Sequence, residues 1–119
     1  TLVTPKELVT VASRHGTTTF IVDPHESANV SGLAGINYIL DQTEDASANV
    51  FVMMPSCVPA TSIDDNGCTL TAEDMTQYLD NERVLGLGEV MDYISVVNAD
   101  PGMHRKLDLF KDKVRDGHF

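Results

Sequence analysis

Apolar and polar positions along this chain fall into blocks whose period switches repeatedly between helix-like and strand-like. Leu8, Val9, Val11 and Ala12 make a helical stripe behind Thr4-Pro5-Lys6-Glu7. There Thr4 can cap, Pro5 suits the first helical position and Glu7 can close a capping box. His15-Gly16 ends that helix. Residues 17–22 are β-branched and aromatic, hence a strand, and they run into Asp23-Pro24-His25-Glu26. The 3.6 period predicts a second helix over 32–42, with Leu33, Ile36, Ile39 and Leu40 inward. After a polar turn, residues 50–54 form the next strand. It leads into Pro55-Ser56-Cys57-Val58-Pro59-Ala60, a loop stiffened by two prolines.

Thr71 and Asp74 cap a third helix whose buried side is Met75, Tyr78 and Leu79. Residues 84–88 are an apolar run with glycines at Gly86 and Gly88, and Glu89 ends it abruptly. Glycine inside a strand signals the close approach of another backbone, a ligand or a metal. Asp100-Pro101 opens a fourth helix, with Met103, Leu107 and Phe110 at i, i+4 and i+7. Residues 114–119 read as one more strand end.

The order α-β-α-β-α-β-α-β predicts a single α/β segment over 1–119, a parallel sheet with helices as crossovers. Parallel strands bring their C-terminal ends to one rim. That rim then collects Asp23, His25 and Glu26, next Ser56 and Cys57, then Glu89, and last Asp116 and His118. Four polar strand ends in succession are the functional signal in this pattern. Read singly, Glu89 is equally an acid marking the exit of a core strand, Cys57 a loop thiol, and His25 a residue that bonds neighbouring loops. His15 falls at the opposite rim and His104 on a solvated helix face.

Composition narrows the picture. Hydrophobic residues make up 42% and charged residues 22%, ordinary for a globular chain. Eight basic against eighteen acidic residues leave a net charge of −10, which disfavours a nucleic-acid partner. No run approaches the roughly 18 apolar residues of a membrane span. Cys57 and Cys68 make neither a disulfide framework nor a zinc-finger spacing, and they suit a reducing, cytoplasmic setting. Imidazole and carboxylate groups at one rim suit divalent metals. Glu89 and His118, on adjacent strands, could together hold a metal that lowers the pKa of bound water. A different class of reading stays open on the pattern alone. It is a self-contained doubly wound α/β module that binds a ligand or a protein without catalysis.

Five motifs carry a resemblance over nearly the whole chain. They are His15-Gly16-Thr17-Thr18-Thr19; Asp23-Pro24-His25-Glu26 with Ala28-Asn29-Val30; Met54-Pro55-Ser56-Cys57-Val58-Pro59-Ala60-Thr61; Gly86-Leu87-Gly88-Glu89-Val90-Met91; and Asp116-Gly117-His118. In these the chain resembles the adenine deaminases of the metal-dependent amidohydrolase superfamily. The resemblance implies a (β/α)8 TIM-type barrel, of which this chain is a sector from just after strand 1 to the end of strand 5, incomplete at both ends. It implies hydrolysis of adenine to hypoxanthine and ammonia by a metal-activated hydroxide. It also implies a divalent metal pair, manganese or iron with zinc as an alternative, and a homo-oligomer.

On this mapping Glu89 is the carboxylate that bridges the metals and His118 a metal ligand, the two catalytic positions. Asp23, His25, Glu26, Ser56 and Cys57 line the site. The family's strand 1 His-x-His pair, strand 6 histidine and strand 8 aspartate have no counterpart here. Phe119 stands where the family continues with Ala or Cys and then Pro-Gly. The isolated chain is therefore expected to be inactive. The chain also lacks the H-x-E and C-x-x-C motifs of zinc nucleobase deaminases, so any kinship with those enzymes is one of reaction only.

Overall fold

A computed structural model describes residues 2–117. The elements are α1 (Pro5–Ser13), β1 (Thr19–Val22), α2 (His25–Ser31), α3 (Leu33–Gln42) and β2 (Asn49–Met54). They continue with α4 (Ala72–Met75), which runs on as a 3-10 turn over Thr76–Tyr78, then β3 (Val84–Val90), α5 (Tyr93–Val97), α6 (Pro101–Leu109) and β4 (Val114–Gly117). All four strands are parallel and lie in the order β1-β2-β3-β4.

That order decides between two architectures. A doubly wound sheet reverses its strand order at a switch point, and ligands bind there. Here each strand lies beside its predecessor with no reversal. Right-handed crossovers that always step the same way put every helix on one face of the sheet. The result is a sector of a (β/α) barrel, and the doubly wound alternative does not hold.

The core lies between sheet and helices. Val52, Met54, Val84 and Leu87 from the strands pack with Ile36, Ile39 and Leu40 of α3, with Met75 and Tyr78, and with Phe110 behind α6. Each such side chain contributes about 1.5–3 kcal/mol on burial. Thr4 and Asp100 cap α1 and α6 as their sequences predict, accepting from the backbone N–H groups of Glu7 and Met103. Thr71 and Asp74 form a reciprocal capping box on α4. At the N-terminal rim Arg83 braces the sheet, donating to the carbonyls of Val50 (3.0 Å) and Leu40 (2.9 Å) and to the Thr43 hydroxyl.

Three expectations need correction. The crossovers are not single helices, because α2 and α5 add a short helix after β1 and another after β3. The expected helix over 32–42 starts at Leu33, since Gly32, with φ +59°, breaks α2 from α3. In the α1 stripe only Val9 is fully buried, with Pro5 one turn before it, while Leu8 and Val11 remain exposed. His118 and Phe119, where the sequence places the last strand's end, lie outside the described residues.

Candidate active site

Three strand exits meet at the backbone of Glu89. Asp23 follows β1, yet its Oδ2 accepts a hydrogen bond from the Glu89 N–H on β3, 3.1 Å away and across the end of β2. Gly88 makes this reach possible, because a Cβ at Gly88 would collide with that carboxylate. Gly86 answers a different neighbour, as its Cβ would strike the backbone of Val114 on β4. Both in-strand glycines thus mark close approaches, one by a side chain and one by a backbone.

From the β2 exit, the Ser56 hydroxyl donates to the Glu89 carbonyl in a short contact and lies 3.1 Å from Cys57 Sγ. Cys57 Sγ in turn accepts from the Asp92 N–H at 3.4 Å, which ties the β2 loop to the start of α5. Ser56 and Cys57 are both buried. The peptides on either side of Glu89 are therefore held by groups from β1 and β2, while its side chain stands half-buried at the rim.

His25 opens α2 and is half-exposed, with Nδ1 3.7 Å from Asp23 Oδ1. Neither of these two buried atoms has a hydrogen-bond partner among the described residues. Burial pushes the Asp23 carboxyl above its ordinary range, and the nearby Glu89 and Glu26 carboxylates push the same way. The Glu89 N–H and His25 oppose them. Glu26 itself is exposed. The structure thus brings Asp23, His25, Ser56, Cys57 and Glu89 to one rim and leaves Glu26 at its edge. Among the described residues no group of three or more His, Cys, Asp or Glu converges in a metal-holding arrangement.

The Amidohydrolase family profile matches residues 1–116. The chain belongs to the amidohydrolase family. It is 58% identical over 118 residues to a protein named adenine deaminase from Desulfitobacterium hafniense, covering 99% of this chain and 21% of that relative. It is 46% identical over 117 residues to adenine deaminase 2 of Carboxydothermus hydrogenoformans, with 98% and 20% covered. It is also 46% identical over 119 residues to adenine deaminase of Clostridium acetobutylicum, with 98% and 21% covered. The chain spans about a fifth of the length of the curated relatives it matches.

Within this amidohydrolase sector, two residues at the rim escaped the sequence reading. Lys106 is buried on α6 and donates from Nζ to the Ser56 carbonyl at 2.8 Å. Desolvation lowers its pKa, against the Cys57, Asp100, Asp74 and Asp92 groups that raise it. Asp92 caps α5, accepting from the Ser95 N–H at 3.1 Å. Lys106 was detectable: it falls at i+3 from Met103, on the face that Leu107 and Phe110 bury, where a lysine is out of pattern.

Proposed function

We propose that this chain forms part of the catalytic barrel of an adenine deaminase, which hydrolyses the exocyclic amine of adenine to give hypoxanthine and ammonia. The observation that carries the reading is the convergence of three strand exits on the Glu89 peptide. The names of the relatives support adenine as the substrate. In this reading Glu89 and His118 hold a divalent metal pair, manganese or iron with zinc as the alternative, together with donors from the rest of a longer chain. A bound metal supplies a water acidified toward neutrality.

The chain's own residues do the remaining work at this rim. Asp23 Oδ2 and the Ser56 hydroxyl orient Glu89 through its backbone. Burial raises the Asp23 carboxyl, so it holds a proton more readily than a surface carboxylate, with Oδ1 turned toward His25 Nδ1. His25, Glu26 and Cys57 line the approach. A net charge of −10 repels polyanions but not a neutral base, which fits free adenine rather than nucleic acid as substrate. No helix among the described residues is long and apolar enough to cross a membrane. The free thiols of Cys57 and Cys68 suit the cytoplasm as the place of action.

The test is ammonia release from adenine by a longer chain that carries these residues, loaded with manganese or iron. Turnover is expected there, with none from the 119-residue chain alone. Glu89→Gln should lower kcat by at least about 100-fold and reduce bound metal. Full activity and full metal content in Glu89→Gln would overturn the assignment.

A further inference from the structure

Lys106 is the one charged residue in the buried set of described residues, at 8% exposure. It sits on α6, the helix behind the sheet, and not on a strand exit. Its ammonium donates a hydrogen bond to the Ser56 carbonyl. Burying an ammonium is costly, and a well-packed apolar side chain of the same length would fill this place with no such penalty. Packing therefore does not account for a lysine here, whereas what its ammonium holds does. Ser56 is the residue whose hydroxyl donates to the Glu89 carbonyl. The Cys57 thiol, Asp100 before α6, Asp74 from α4 and Asp92 before α5 lie near enough to favour the Lys106 charge. Cys57, Asp92 and Asp100 line, together with Lys106 and Ser56, a cavity of about 570 Å³.

We infer that Lys106 is a positioning residue: its ammonium fixes the Ser56 peptide, and the Ser56 hydroxyl in turn fixes the carbonyl of Glu89. Support thus runs outward in two steps, from the helix layer to the β2 exit and from there to the β3 exit. The functional side of this inference rests on the reading of Glu89 as a catalytic carboxylate. Its structural side does not, so the two can be tested apart.

Lys106→Met keeps the length and removes every donor, Lys106→Arg keeps charge and donors, and Ser56→Ala cuts the next link. In the 119-residue chain, hydrogen exchange of the Val90 amide, which shares a peptide with the Glu89 carbonyl, should become at least about 10-fold faster in Lys106→Met and in Ser56→Ala, with Ile36 and Ile39 of α3 unchanged. The double variant should be no worse than either single one, because both break the same path. In the longer, active enzyme, kcat should fall about 10–100-fold with KM within about twofold, and Lys106→Arg should recover part of the loss.

A folded Lys106→Met with unchanged Val90 exchange overturns the inference. So does a variant that speeds exchange equally at Val90 and in α3, since that is a loss of global stability. Should Lys106→Met fail to fold, the Val90 exchange rate in Ser56→Ala decides alone. If the wild-type longer chain turns over no adenine while Val90 exchange responds as stated, the functional reading fails and the positioning role stands.

Discussion

At the scale of single residues, Gly88 shows how one missing side chain shapes the rim. Its place is filled by the Asp23 carboxylate, which accepts from the next N–H along β3. Gly88→Ala forces that carboxylate aside and should destabilise the chain by about 1–3 kcal/mol in urea unfolding. Gly102→Ala is the control. Its Cβ would meet only Asp100 Oδ1, at 3.2 Å, so a much smaller effect is expected. Adding Asp23→Ala to Gly88→Ala removes the collision and should recover part of the loss, and purely additive costs would contradict the contact. The sequence made the glycines conspicuous but not their neighbour, because Asp23 lies on a strand two places away in the sheet. Ser56 was visible as a polar loop residue. Its bond to a backbone carbonyl on β3 was not, since nothing local to Ser56 encodes that partner.

At the scale of elements, capping chemistry was legible and short helices were not. Thr71 and Asp74 announce α4, and the structure closes the box in both directions. The Asp74 carboxylate accepts from the Thr71 N–H and hydroxyl, which hold its pKa below the ordinary value. A carboxyl lowered by folding adds stability above its unfolded pKa, and that stability is lost as pH falls through the folded value. Thr71→Ala should therefore cost about 1 kcal/mol at neutral pH. The gap from wild type should narrow as unfolding is measured down to about pH 3 and below, leaving the part due to the Asp74 N–H bond to the Thr71 hydroxyl. An unchanged gap across that range would mean the ionised box is not what Thr71→Ala removes. By contrast α2 has one fully buried residue, Ala28, and α5 has none. Segments of seven and five residues with so little apolar surface leave no periodic trace to read.

At the scale of the whole molecule, alternation of helix and strand was enough for a parallel sheet but not for the order of its strands. Both a doubly wound sheet and a barrel sector alternate in that way, and only the sequential neighbours β1-β2-β3-β4 separate them. Among the described residues β1 and β4 are the edges, and each carries an exposed apolar side chain, Ile21 and Val114. Open parallel edges with apolar cover invite pairing with another chain. The 119-residue chain should therefore self-associate in sedimentation experiments. With a net charge of −10, this association should strengthen with added salt as repulsion is screened. Ile21→Lys should weaken it, and a salt-independent monomer at high concentration would refute the edge argument.

The clamp on the Glu89 peptide has a practical corollary for redesign. Barrel enzymes are often treated as sets of interchangeable turns mounted on an inert frame. Here the turns that leave β1 and β2 both grip the residue that leaves β3, so they do not behave as separate modules. A graft of a foreign turn after β1 would carry away Asp23 and reset position 89 without touching it. Swaps at this rim have to be made as one block of three.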